Sequence, residues 1–256
     1  MDTSKHMKAT VTWRNDLTAE LWLVRVRPEE KISFSPGQYV TLGLPGSPRM
    51  IERPYSVVSS PREPELEFFL ELVPHGELTP LLYKLQVGDE VFLRRVAKGR
   101  FVLDAASGHP NHFLVATVTG VAPYISMARE MAARAAAGEA VPYRLLVLQS
   151  GSVSSEFGYH DELRALAQRH SWLQYIPSIS RTWLDPGWKG EMGRAEDVVR
   201  KHLDAAGFTA ADTTAYACGN PDMIVNVKGV LKRVGFAPEA VKEEIYWIPE
   251  KDKAPA

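Results

Sequence analysis

His112-Phe113-Leu114-Val115-Ala116-Thr117-Val118-Thr119-Gly120-Val121-Ala122-Pro123 is the stretch on which the reading of the fold turns. Residues His112 to Val118 form an apolar run of strand length, the composition of a strand buried on both faces. Small residues at Gly120 and Ala122 let a dinucleotide approach the backbone. Pro123 suits the first turn of a helix, where its missing N–H costs nothing. A plain strand-to-helix turn is the alternative for the same residues.

Downstream, the rhythm continues as strands alternating with helices. Pro123 to Ala137 reads as a helix, Tyr143 to Leu148 as a strand, Glu156 to His170 as a helix and Trp172 to Ile176 as a strand. Arg194 to Ala206 reads as a helix, Thr214 to Ala217 as a strand and Pro221 to Val234 as a helix. Such alternation predicts a parallel sheet covered by helices. Upstream the pattern differs. Leu21 to Val26, Gln38 to Leu44, Tyr55 to Val58, Leu66 to Val73 and Glu90 to Leu93 are short β-type runs divided by Pro and Gly turns, which predicts an antiparallel barrel. The small-residue stretch Ala105 to Pro110 fits a linker, so residues 1–107 and 108–256 are expected to be two domains.

With 30 basic and 31 acidic residues the charges nearly cancel, which argues against nucleic acid as a partner. Cys218 is the only cysteine, so neither a disulfide nor a cysteine-ligated cluster can form within one chain, and no metal site is expected. The polar start and the lack of a membrane-length apolar run make a cytoplasmic protein with no membrane association the expectation.

Several groups could form a site. Arg53-Pro54-Tyr55-Ser56 combines a guanidinium able to bind a pyrophosphate, a ring able to cover a heterocycle and a hydroxyl. Gly76 to Thr79 either presents backbone donors to a phosphate or is a helix start capped by Thr79. Cys218-Gly219-Asn220-Pro221 ends the last parallel strand, where the thiol is either beside a nicotinamide or a small core hydrophobe. Arg181 and Arg194, which flank a loop containing Trp183 and Trp188, could clasp the phosphate that distinguishes NADP from NAD, or be surface charges. Tyr246 and Trp247 either dock on the core or cover a flavin face.

In this order and spacing, the motifs from about Lys8 to Trp247 resemble the ferredoxin–NADP reductase family, in particular its bacterial ferredoxin or flavodoxin reductase branch. The resemblance implies a six-stranded antiparallel FAD-binding barrel followed by a five-stranded parallel NADP-binding sheet with helices on both faces. It implies FAD and NADP(H) as cofactors, ferredoxin or flavodoxin as transient partner, and a monomer. Arg53, with Pro54 in the same motif, would then hold the FAD pyrophosphate, Tyr55 would pack on the isoalloxazine, and Ser56 would lie near its N5. Gly76 and Thr79 would make the second diphosphate contact, and Thr119, in the Thr119-Gly120 turn closed by Pro123, would touch both cofactors. Ser56, Cys218, Glu244 and Tyr246 become the catalytic candidates, with Tyr246 as a lid over the nicotinamide position. Gly219, Trp247, Arg181 and Arg194 complete the binding set.

Two departures from the family pattern stand out. Val118 occupies the place of the first glycine of the nucleotide motif, and Ser152 stands where the bacterial branch often has an arginine. The role of the residues after Trp247 is open. Arg94, Arg95, Lys98 and Arg100 are either a docking patch for an acidic carrier protein or a solvated turn. The rival readings are an NADH-dependent oxygenase reductase component and a non-catalytic flavin- or nucleotide-binding sensor, which would not cycle with ferricyanide.

Overall fold

The computed structural model describes residues 5–246, which fall into two compact units. The first comprises residues 5–103 together with 122–141 and 155–170, and the second the intervening segments and residues 171–246. The units therefore interleave along the chain.

The first unit is built on six strands: β1 (His6–Asp16), β2 (Leu21–Pro28), β3 (Tyr39–Leu44), β4 (Ile51–Ser56), β5 (Leu66–Glu71) and β6 (Glu90–Arg94). They pair in the order β4-β3-β6-β1-β2-β5, every pair antiparallel. Just beyond β4, the Val58 N–H donates to the Glu67 carbonyl of β5 at 2.9 Å, so the two ends of the sheet meet and the barrel is nearly closed. Its interior holds Trp22, Val24, Val40, Leu42, Phe68, Leu70 and Leu93. Burying each such large side chain stabilises the fold by about 1.5–3 kcal/mol.

A single turn of helix, α1 (Thr79–Leu82), and two longer helices, α2 (Ala122–Ala136) and α3 (His160–Arg169), complete this unit. The hydroxyl of Ser126 on α2 donates to the Ser59 carbonyl at 2.7 Å, and both residues are buried. Glu67, on β5 and only 1% exposed, accepts from Arg25, from Arg129 of α2 and from the Tyr159 hydroxyl at the entry to α3. Arg129 reaches on to Glu162 of α3 with two bonds, at 2.6 and 2.8 Å. This network explains why both helices group with the barrel residues.

The second unit contains β7 (Asn111–Thr117), β8 (Arg144–Gly151), β9 (Leu173–Ile179), β10 (Glu191–Met192), β11 (Thr213–Gly219) and β12 (Val241–Ile245), with α4 (Ala195–Ala205) and α5 (Pro221–Arg233). All strands are parallel, in the order β10-β9-β8-β7-β11-β12. Every residue of β11 is buried, as expected for a central parallel strand. Val198, Val199 and Leu203 of α4 and Met223, Ile224, Val227 and Leu231 of α5 pack with Phe113, Leu146, Ala215 and their neighbours into one core.

The sheet has six strands rather than the expected five. The sixth is β10, two residues paired only through Glu191 and Met192. The linker segment is not featureless either, because Ala105–Ser107 forms a short 3-10 turn whose first N–H groups bond to the Asp104 carboxylate. Among the described residues no helix is long and apolar enough to cross a membrane, and no cluster of His, Cys, Asp or Glu is arranged to hold a metal ion.

Candidate functional site

In the first unit, β4 is an end strand of the pairing order, which suits Pro54, a residue with no ladder donor to give. The pleat sends alternate residues to opposite faces, so Arg53 and Tyr55 share one face and Ser56, 6% exposed, lies on the other. Tyr55 is half-buried against the barrel core. Burial pushes its phenol up to about 12, against a small opposing pull from Arg53, so the ring stays neutral.

Arg53 is exposed and donates to the Glu52 carbonyl at 2.8 Å and to the Glu77 carboxylate. That ion pair joins the two segments singled out for the FAD diphosphate, the β4 motif and the Gly76–Thr79 turn. Both of its ends are at least half exposed, which limits its worth to about 0–1 kcal/mol.

The reading of Thr79 as a helix cap is corrected by the structure. The N-cap of α1 is Leu78, with no side-chain cap bond, and the helix lasts one turn. The Thr79 hydroxyl instead turns back, accepting from the Val73 N–H at 3.0 Å and donating to its carbonyl at 3.2 Å. The Gly76 N–H also bonds to that carbonyl, at 2.8 Å. The turn is thus closed on Val73, which leaves a smaller set of donors than a helix terminus would offer.

In the second unit the chain runs from β7 outward through β8, β9 and β10 and then returns to place β11 and β12 on the other side of β7. The direction of winding reverses between β7 and β11, and the carboxyl ends of strands at such a reversal form the ligand crevice of open α/β sheets. Two glycines meet there. A Cβ on Gly120 would come within 2.3 Å of the Cys218 carbonyl oxygen, and one on Gly219, where φ is +119°, within 2.4 Å of the Thr117 Oγ1. The Thr117 hydroxyl accepts from the Asn220 N–H at 2.8 Å, and Asn220 in turn caps α5 ahead of Pro221. Pro123 sits in the first turn of α2 and is buried.

Around this crevice the sequence-predicted residues converge. Thr119 is 6% exposed, and its carbonyl accepts from the Tyr246 hydroxyl at 3.3 Å. Cys218 is fully buried and lies opposite Glu244 in the β11–β12 register. Burial pushes its thiol well up, the Glu244 carboxylate adds to this, and a hydrogen bond with Tyr246 offsets it slightly. The sulfur is therefore a protonated thiol and not a nucleophile. Tyr246 is 38% exposed, spanning the ends of the strands. Trp247 lies outside the described residues.

Arg181 and Arg194 leave the carboxyl ends of adjacent strands. Met192 pairs with Ile179 and the Gly193 N–H bonds to the Ile179 carbonyl at 2.9 Å, so each arginine stands two residues past this paired position. Both are exposed, and neither forms an ion pair within the described residues. The Arg181 N–H bonds to the Ser152 carbonyl at 2.9 Å, so Ser152 borders the same loop.

Trp183, named in the sequence only as part of this loop, is 72% exposed on a short 3-10 turn that follows Arg181. One feature escaped sequence reasoning. Gln149, fully buried on β8, holds the Val118 carbonyl; its only sequence signal is an amide closing the run Leu145-Leu146-Val147-Leu148. The basic cluster is half neutralised. Arg94 forms two bonds to Glu52, whose carboxyl the arginine and then His6 hold down at about 2 despite desolvation, and Arg95 pairs with Glu30. Lys98 and Arg100 keep no ion pair within the described residues.

Residues 9–102 match the oxidoreductase FAD-binding domain and residues 114–229 the oxidoreductase NAD-binding domain. The chain is 26% identical over 247 residues to a flavodoxin/ferredoxin–NADP reductase of Buchnera aphidicola, covering 92% of this chain and 94% of that protein. It is 31% identical over 212 residues to the reductase component of phenol 2-monooxygenase from a Pseudomonas species, covering 82% of this chain and 56% of that one. A ferredoxin NADP+ reductase from Neisseria gonorrhoeae, solved with bound FAD and NADP, shares the fold with a TM-score of 0.82 at 23% identity, over 95% of this chain and 99% of its own. A flavin-binding barrel followed by a dinucleotide-binding sheet, over most of its length, makes this chain a member of the ferredoxin–NADP reductase family.

Proposed function

We propose that the chain is a ferredoxin or flavodoxin–NADP reductase, an FAD-dependent enzyme oxidising NADPH and passing electrons singly to a small carrier protein in the cytoplasm. The observation that carries the NADPH assignment is the β9–β10 register, which places Arg181 and Arg194 just past neighbouring strand ends, two exposed arginines with no ion pair among the described residues. FAD, when bound, supplies the chemistry that the protein lacks: hydride acceptance at N5 and release of one electron at a time.

The chain's own residues bind, orient and gate. Arg53 neutralises diphosphate charge once it leaves Glu77, and the neutral ring of Tyr55 offers an apolar surface to a planar heterocycle. Ser56 and Glu244 are the groups proposed to adjust protonation near N5. Gly120 and Gly219 bring backbone donors close to a pyrophosphate, and Cys218, as a protonated thiol, gives the nicotinamide a small polarisable wall. The Tyr246 hydroxyl must leave the Thr119 carbonyl before a nicotinamide can lie over that position, so its departure is a gate to close approach of the rings.

An anaerobic titration of the FAD-loaded protein with NADPH and with NADH, followed by flavin absorbance, tests the proposal. Bleaching by NADPH at far lower concentration is expected, and replacing both Arg181 and Arg194 by Ala should erase that preference. A second reading, an NADH-dependent oxygenase reductase component, draws on Ser152 in place of a further arginine and on the likeness to the phenol monooxygenase component, of which the chain spans about half. Equal bleaching by both nucleotides would favour it.

A further inference from the structure

Val118 is the one non-glycine residue with positive φ among the described residues, at +43°. A β-branched side chain fits that region badly, because its Cβ crowds the following carbonyl, and such a backbone persists only where its surroundings impose it. Val118 follows β7 directly and opens the tight turn Val118–Val121, the turn that carries Thr119 and Gly120.

What imposes the backbone is visible in the next two strands. Gln149 of β8, fully buried, donates its Nε2 to the Val118 carbonyl at 3.3 Å. The Gln149 Oε1 accepts from the Tyr175 hydroxyl of β9 at 2.8 Å, which fixes the orientation of the amide. Burying an amide in an apolar strand is costly unless its bonds are made, so this glutamine is committed to the turn. A strut thus runs across three adjacent strands and ends on the peptide that follows Val118.

We propose that Gln149, backed by Tyr175, is a positioning residue for dinucleotide binding: it holds the Val118 peptide so that the backbone donors of Thr119 and Gly120 are already aligned for a pyrophosphate. The proposal rests on the nucleotide-binding reading of this crevice and adds to it the element that pre-organises it. Glycine adopts positive φ unaided, so Val118→Gly should make the strut dispensable.

Calorimetric titration of the FAD-loaded protein with NADP+ tests this, using Gln149→Leu and Tyr175→Phe, each alone and with Val118→Gly. Gln149→Leu should weaken NADP+ binding about tenfold and Tyr175→Phe about threefold, while in the Val118→Gly background both losses should shrink below about twofold. A merely structural role would lower the melting temperature in both backgrounds and leave the affinities unaltered. Wild-type affinity in both single variants, or equal losses with and without Val118→Gly, overturns the proposal. If Gln149→Leu fails to fold, Tyr175→Phe decides alone by the same comparison. Absence of NADP+ binding by the unsubstituted protein would instead remove the nucleotide reading, and the strut's role with it.

Discussion

Arg53, the residue proposed to hold a diphosphate, already has a partner. Its guanidinium rests on Glu77, a side chain 70% exposed, so an incoming diphosphate must compete with a carboxylate already in place. Glu77→Gln removes the competitor and should tighten FAD binding about two- to fivefold, in line with the small worth of an exposed ion pair. Arg53→Ala should weaken it; fluorescence titration of the apoprotein with FAD measures both. Tyr246, proposed to cover the nicotinamide position, presents the same logic. Tyr246→Ser removes its bond to Thr119 and should tighten NADP+ binding roughly fivefold, since about 1 kcal/mol no longer has to be given up. Unchanged affinity would mean that the ring is not in the way. The sequence singles these residues out because each belongs to a short motif with its own chemistry. Gln149 was not singled out, because its bond goes to the peptide after Val118, whose left-handed backbone is not readable from sequence.

The link from β5 to α2 and α3 is a buried charge network rather than an apolar seam. Glu67 serves Arg25, Arg129 and Tyr159 together, and removing its charge leaves the largely buried Arg129 guanidinium undercompensated. Glu67→Gln should therefore cost about 3–5 kcal/mol in denaturant unfolding, whereas Glu67→Leu with Arg129→Met should cost much less than the sum of the single changes. Additive losses would show that these side chains act independently. Elements with a strong apolar period were read within a few residues: β7, β8, β11, α2 and α5 stand nearly where the sequence places them. β1 was not named because its register slips between Val11 and Trp13, which breaks the alternation. β4 lies earlier than Tyr55 to Val58, since its polar Glu52-Arg53-Pro54 is tolerated only at a sheet edge. Two-residue β10 carries no period at all and exists through its partner β9.

Stability as a function of pH is set in part by His112, which is fully buried, has no hydrogen-bond partner for either ring nitrogen among the described residues, and packs edge-on against Tyr143 at 4.6 Å. Burial pushes its imidazole down to about 4 from 6.5, slightly countered by Asp104 and slightly aided by His109. Above pH 6.5 both the folded and unfolded chains hold it neutral. As pH falls from 6.5 toward 4 only the unfolded chain takes up the proton, so stability drops by about 1.4 kcal/mol per unit, about 3 kcal/mol in all. His112→Phe should flatten that part of the profile, and urea midpoints at pH 7, 5.5 and 4.5 would reveal a slope that persists if other groups dominate. The presence of an antiparallel barrel and a parallel sheet was readable from the change of rhythm along the chain. The grouping of α2 and α3 with the barrel residues was not, because it depends on side chains such as Ser59, Glu67 and Arg129 that are far apart in sequence.

Cys218 makes the protein its own reporter. The thiol is fully buried, hydrogen-bonded with Tyr246 and the only one in the chain, so a maleimide can reach it only while the structure around β11 is transiently open. Labelling kinetics under native conditions would count those openings, and saturating NADP+ should alter their frequency.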